Sequence, residues 1–290
     1  MVLTRREMLA AAVGTALGCT TLGLTQGAET EKESRAMATR KGRIQQAVSR
    51  WCFSKIPAGD FYKACVEMGI VGIDLVGPSE WTLLRQFGLI CPCTPSHSLT
   101  KGLNHKENHE LCLKQIREAI EATAAVGFPN VVCFSGNREG ISDEEGAANC
   151  VEALKQVAGL AEAKDVTLVM ELLNSKVNHK DYQADRTAWG VDVCKRVGSP
   201  RVKVLYDIYH MQIMEGDLVR TIKDNIAYIG HFHTGGNPGR NEIDETQEIN
   251  YLAVAKAIAE SAYQGYVGHE FVPTRDPLTS LRQAVELCDV

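Results

Sequence analysis

Four short apolar runs in this chain each end in a side chain suited to holding a metal ion: Val166 to Glu171, Val202 to Asp207, Ala227 to His233 and Tyr266 to Glu270. Three carboxylates and one imidazole are a donor set for a divalent cation of the Mn, Mg or Co type, because oxygen ligands favour Mg and Mn while imidazole favours the later metals. In a desolvated cavity without a cation the three carboxylates would repel one another and resist ionisation. Taken singly, each residue could equally be a helix N-cap or an ion-pair partner at a strand end. Their register argues for a shared role. The four ends are separated by 36, 26 and 37 residues, each close to the roughly 30 or more residues of one strand, crossover helix and returning strand. Four consecutive units of that kind deliver Glu, Asp, His and Glu to one edge of a parallel sheet.

The elements that must position these residues follow from the apolar periodicity. Ile44 to Trp51, Val71 to Val76 and Leu89 to Cys93 read as strands, with helices over Asp60 to Met68 and Ser79 to Phe87 between them. Such alternation implies a parallel sheet. Lys106 to Val126 is a long helix with Cys112, Ile116, Ala119, Ile120 and Thr123 on one face. Asn130 to Phe134 is the fourth strand, and Ser142-Asp143-Glu144-Glu145 is a capping box that opens the next helix. The remaining helices are expected at Thr187 to Val197, Gly216 to Asn225, Tyr251 to Ala262 and Pro277 to Cys288. Eight strands and eight helices result. The connections Leu172 to Arg186 and Thr234 to Glu248 are long enough to be functional loops. Both follow strands that end in a candidate ligand, so they are the expected lids of a barrel mouth.

With 290 residues the chain is long enough for one such barrel, which needs about 250 residues. A net charge of −5 with 23% charged residues supplies no basic face, so nucleic acid is not an expected partner. Residues 1–36 read as a targeting segment and linker. Thr4-Arg5-Arg6-Glu7-Met8-Leu9 ahead of the small-residue run Ala10 to Leu24 resembles a twin-arginine export signal, which implies a periplasmic location. Gly14, Gly18 and Gly23 make that run a poor membrane span. Lipid anchoring at Cys19, or retention in the cytoplasm, are the alternatives. Of the ten cysteines Cys19 lies in this segment, and the rest sit mostly in apolar runs, which predicts free buried thiols rather than a disulfide framework.

Tyr206-Asp207-Ile208-Tyr209-His210-Met211-Gln212, with Glu215-Gly216 behind it, resembles the signature of hydroxypyruvate isomerases within the xylose-isomerase-like barrel superfamily. The resemblance runs on through Gly230-His231-Phe232-His233, Asn237-Pro238, Glu248-Ile249-Asn250-Tyr251 and Gly265-Tyr266-Val267-Gly268-His269-Glu270. It implies a single α/β (β/α)8 TIM barrel over residues 40–290, with metal at Glu171, Asp207, His233 and Glu270. It also implies that Glu171 and Glu270 are the proton-transferring pair. In related ketose epimerases a histidine at the place of His210 touches substrate oxygen; the residues alone leave open a role in holding Asp207. The chain departs from the family pattern where Glu171-Leu172-Leu173-Asn174 replaces Glu-Pro-Ile-Asn, and where His233 replaces a common Gln. His at that place is usual in ketose 3-epimerases.

The implied chemistry is isomerisation of a small 2-hydroxy carbonyl compound through an enediolate, as from hydroxypyruvate to tartronate semialdehyde. Arg240 and Lys180 in the lids are candidate partners for a substrate carboxylate, and Trp51 and His97 candidate pocket walls. His231 shares the inward face of His233, beneath or beside it. A ketose 3-epimerase and an exported sugar-binding barrel without catalysis are the competing readings. The sequence leaves homo-oligomerisation open.

Overall fold

The computed structural model describes residues 41–290. The twin-arginine-type segment and its linker, residues 1–36, lie outside the described residues. Eight parallel strands form one sheet: β1 Gln45–Ser49, β2 Gly72–Asp74, β3 Cys93–Thr94, β4 Asn130–Cys133, β5 Thr167–Leu172, β6 Val202–Asp207, β7 Ile229–Thr234 and β8 Tyr266–His269. Their spatial order, β2-β1-β8-β7-β6-β5-β4-β3, curls the sheet round until its first and last strands meet. There Ile73 N–H donates to Ile90 O and Leu75 N–H to Cys93 O, each at 2.9 Å, so the barrel is nearly closed. β3 is shorter than the Leu89 to Cys93 run predicts. Pro92 has no N–H to give a ladder, and only Ile90 on its near side bridges to Gly72.

Nine α-helices wrap the barrel among the described residues: α1 Ala58–Glu67, α2 Pro78–Gln86, α3 His109–Ala125, α4 Asp143–Ala163, α5 Thr187–Val197, α6 Ile208–Met214, α7 Leu218–Asn225, α8 Tyr251–Ala259 and α9 Pro277–Cys288. Their ends follow local chemistry. Ser142 Oγ accepts the N–H of Glu145 at 3.1 Å to open α4, and Gly198 in the left-handed region closes α5. The sequence reading places one helix between β6 and β7, but the structure has two. The first, α6, is capped by Asp207 itself, whose Oδ1 accepts the N–H of His210 at 2.9 Å. His210 therefore stands in the first turn of a helix rather than in a loop.

Strand alternation sorts side chains into two sets. Leu168, Met170 and Leu172 of β5 point outward and join the large core beneath the helices. Cys93, Val132, Val169 and Leu205 form a separate apolar cluster that fills the barrel interior. Two residues further along the same inward rows come Glu171 after Val169 and Asp207 after Leu205. Pairing fixes the level: Leu205 lies opposite His231 and Asp207 opposite His233, which in turn faces Gly268 of β8. The apolar layer thus serves as the floor on which the polar layer stands. All nine described cysteines are free, eight of them buried.

Candidate active site

Each of Glu171, Asp207, His233 and Glu270 offers a ligand atom within 4.8 Å of the others', and all four residues are buried. His233 Nδ1 lies 2.7 Å from Glu270 Oε2 and 3.4 Å from Glu171 Oε1. Burial pushes both glutamates toward the neutral form, and the outcome differs between them. Glu171 stays above the ordinary carboxyl range, because burial and the Glu270 charge together outweigh its contact with His233. Glu270 lies well below that range, since His233 and Arg240 overcome its burial and the Trp51 indole adds a hydrogen bond. Asp207 is raised by burial despite Arg240. Burial lowers His233, yet the Glu270 charge and the nearby carboxylates of Asp74 and Glu171 carry it well above its usual range. Three carboxyl groups and an imidazole that converge on one buried point can hold a metal ion. Their hard oxygens and single nitrogen fit a divalent cation, with His233 offering Nδ1 and turning Nε2 away.

The far side of His233 explains that orientation. Its Nε2 has no hydrogen bond, and Asp74 Oδ2, at 3.6 Å, is the nearest carboxylate oxygen recorded for it. Asp74 is fully buried at the end of β2 and also accepts from His231 Nε2 at 2.9 Å. Burial raises its carboxyl, but the two histidines outweigh that and hold it below the usual range. Gly268 makes the arrangement sterically allowed, because a Cβ there would collide with Asp74 Oδ2 and the His233 ring.

Arg240 arrives from the loop after β7. Its backbone is left-handed, with φ of 57°, directly after Gly239 and the cis Asn237–Pro238 bond. A non-glycine residue held at positive φ reflects constraint by its surroundings, and its contacts supply that constraint. Arg240 Nη2 lies 2.7 Å from Asp207 Oδ2 and 2.5 Å from Glu270 Oε2, while Nε donates to Glu270 O at 3.1 Å. The guanidinium also stands 5.3 Å from the Tyr209 ring centre and 5.8 Å from that of Trp51. The loop is pinned by buried Glu242, whose carboxylate accepts from Thr274 N and Oγ1, Arg275 N and Ser280 Oγ. These bonds hold the Glu242 carboxyl down at about 2 against the cost of burial.

Of the other residues singled out by sequence, His210 is fully buried and 3.8 Å from Asp207 Oδ2. His97 has both ring nitrogens engaged by backbone, Nε2 accepting from Phe134 N–H at 3.2 Å and Nδ1 facing Ser98 O at 3.1 Å. Burial lowers its pKa to about 4. Lys180 is exposed on the loop after β5. Trp51 is 46% exposed, yet its Nε1–H donates to Glu270 Oε1 at 2.5 Å. Sequence reasoning missed Asp74, Asn174 and Glu242. Asp74 lies inside the apolar run Val71 to Val76 rather than at its end, so it does not stand out as the four ligands do.

An eight-stranded parallel barrel whose mouth gathers carboxylates and histidine defines the class. Residues 81–289 match the family described as the xylose isomerase-like TIM barrel, and the chain belongs to that family. It is 34% identical over 171 residues to the hydroxypyruvate isomerase of Escherichia coli (strain K12), covering 58% of this chain and 64% of that protein. Over 159 residues it is 33% identical to the 2-oxo-tetronate isomerase of Cupriavidus necator, covering 54% of this chain and 60% of that one. The matches thus span about three fifths of these curated relatives. Among solved structures, a protein of AP endonuclease family 2 from Brucella melitensis superimposes with a TM-score of 0.74 at 23% identity, covering 82% of this chain and 97% of its own. The 3-keto-D-glucoside 4-epimerase of E. coli gives 0.71 at 21% identity, covering 84% and 98%. At those identities the likeness concerns the fold.

Proposed function

We propose that this chain is a metal-dependent isomerase of small 2-hydroxy carbonyl compounds, with hydroxypyruvate as the model substrate. The observation that carries the reading is the buried pairing of Glu171 and Glu270, from β5 and the end of β8, on the same nitrogen of His233. Two carboxyl groups flanking one substrate can remove a carbon-bound proton on one side and return it at the neighbouring carbon. A divalent cation held by Glu171, Asp207, His233 and Glu270 would polarise the substrate carbonyl as a Lewis acid. The chain's own groups do the rest. Trp51 fixes one oxygen of Glu270, so that the other faces the site. Tyr182 fixes the carbonyl end of Glu171 by donating to its backbone oxygen at 3.0 Å. The loop that carries Arg240 sets its guanidinium against Asp207 and Glu270.

The relatives named hydroxypyruvate isomerase and 2-oxo-tetronate isomerase support this substrate class. A ketose 3-epimerase is the second reading. It draws on His233, in place of the glutamine common in hydroxypyruvate isomerases, and on epimerases among the fold neighbours, such as D-psicose 3-epimerase with a TM-score of 0.66 at 18% identity. Metal-loaded protein in heavy water is expected to incorporate deuterium into hydroxypyruvate and to form tartronate semialdehyde, both lost in Glu171→Gln and Glu270→Gln. Epimerisation of D-fructose or D-tagatose with no change in hydroxypyruvate would select the second reading. Binding without exchange of any substrate proton would leave only a sugar-binding barrel.

A further inference from the structure

The end of the barrel opposite the carboxylate cluster holds a cavity of about 610 Å³, lined at the starts of the strands by Asn130, Thr167, Arg201, Lys203 and Gly230, with Tyr263 beside them. Its size falls in the range of small-molecule sites. Lys203 precedes Leu205 and Asp207 by two and four residues on the inward row of β6, so its stem enters the barrel from the end away from Asp207. The apolar layer of Val132, Val169 and Leu205 stands between this cavity and the candidate metal ligands.

The backbone makes room for the lysine. Val204 pairs with Ile229 and Leu205 with His231, which leaves Gly230 as the extra residue of a bulge. A Cβ at Gly230 would stand 2.7 Å from Val169 Cγ1, 3.2 Å from Lys203 Cβ and 3.5 Å from Lys203 Cδ. Glycine inside a strand marks a place that another group approaches closely, and here that group is the stem of Lys203.

Charge at this end is unbalanced. Lys203 Nζ donates to Ala227 O at 2.9 Å and pairs with no carboxylate among the described residues. Two positions earlier on the same row, Arg201 gives Nη1 to Thr167 Oγ1 at 3.4 Å and Nη2 to Asp165. The Asp165 side chain is 84% exposed, so water and salt screen what it offers. Burial and the Arg201 charge hold the Lys203 pKa below its usual range. Two cations therefore share one cavity against a single exposed carboxylate. An ammonium and a guanidinium together are the donors that phosphate oxygens take, the first as a point charge and the second as a planar fork.

We propose that the cavity at the strand starts is an anion site in which Lys203 and Arg201 hold a phosphate group, free or as a small phosphomonoester, apart from the candidate active site. The inference goes beyond the isomerase reading and does not depend on it.

Calorimetric titration of the full-length protein with inorganic phosphate at low ionic strength is expected to show saturable binding at millimolar phosphate, with the same affinity whether or not Mg is added. Lys203→Met keeps the stem and removes the charge; affinity should fall about 10-fold, the worth of one hydrogen bond to a charged group, with thermal unfolding unchanged. Asp165→Asn releases Arg201 Nη2 and should tighten binding about 3-fold, as expected when an exposed ion pair is removed. Its exposed position keeps the test open if Lys203→Met does not fold. Glycerol 3-phosphate tells the two sources apart: tighter binding than inorganic phosphate assigns a monoester whose carbon part lies on Tyr263, and equal binding assigns the free ion. A folded Lys203→Met that binds phosphate as the wild type does, an Asp165→Asn that binds no more tightly, or binding that appears only with Mg overturns the proposal.

Discussion

Replacing Asp74 by Asn removes one buried charge and almost no volume, which makes it a clean probe of how the candidate metal-binding face is oriented. Asp74 Oδ2 is 2.9 Å from His231 Nε2 and 3.6 Å from His233 Nε2. If His233 gives Nδ1 to a metal, its remaining proton must sit on Nε2, and Asp74 is the carboxylate positioned to receive it. A hydrogen bond to a charged group contributes about 1.5–3 kcal/mol and one to a neutral amide about 1 kcal/mol. Asp74→Asn is therefore expected to weaken Mn or Co binding about 10-fold, at the lower end of the 10- to 100-fold seen when such outer partners are lost. Asp74→Ala leaves two imidazoles facing a void and is expected to cost stability as well, about 3–5 kcal/mol by analogy with broken buried pairs. Calorimetric titration of metal into the stripped protein measures the first effect, and thermal unfolding without metal measures the second. If folded Asp74→Asn bound metal within 2-fold of wild type, Asp74 would have no part in orienting His233.

Three further outcomes follow from the structure. Trp51→Phe keeps an aromatic wall but removes the donor to Glu270 Oε1; kcat is expected to fall about 10-fold or more with KM within about 3-fold, and an unchanged kcat would remove Trp51 from the catalytic arrangement. The Glu242 carboxyl sits at about 2 in the folded protein against an ordinary 4.5, so its contribution is present above pH 4.5 and is lost as pH falls toward 2. The shift corresponds to about 3 kcal/mol, and Glu242→Gln should flatten that part of the stability–pH curve; a parallel curve for the variant would refute the assignment. Replacing Arg5 and Arg6 together by Lys is expected to keep the protein in the cytoplasm with its amino-terminal segment uncleaved, as read by cell fractionation and intact mass, whereas normal export would remove the twin-arginine reading.

Much of the barrel is legible in the chain because parallel strands buried on both faces must be apolar and regularly spaced. Glu171, Asp207, His233 and Glu270 stand out as polar ends of such runs, and their spacing places them together. Asp74 was hidden for a physical reason: its strand is only three residues long, and its partner His231 lies 157 positions away. The doubling of the helix after β6 was hidden because one residue, Asp207, does two jobs. It ends an inward row of the strand and caps the helix that follows, so the reading of such residues as caps and the reading as ligands are both physically satisfied here. Trp51 reads as an ordinary wall until the position of Glu270 is known. The contacts of buried Asn174 depend on a backbone turn in which Val177 and Asn178 return their N–H groups to its Oδ1, which residue type alone does not specify.

The loop after β7 ties these features together. Glu171 and Glu270 are the same residue type at nearly the same depth, yet their carboxyl groups are shifted in opposite directions. The difference lies in their partners: Glu270 meets Trp51 and Arg240 in addition to His233, while Glu171 meets His233 alone among the described donors to its side chain. Arg240 is also the group that faces His210. A single guanidinium therefore touches both Glu270, one half of the proposed proton-transferring pair, and His210. Its left-handed backbone and the Glu242 anchor fix where it can reach. Nη2 holds Asp207 Oδ2 and Glu270 Oε2 while Nη1 reaches His210 Nε2, so one side chain ties the Glu270 carboxylate to the first turn of α6.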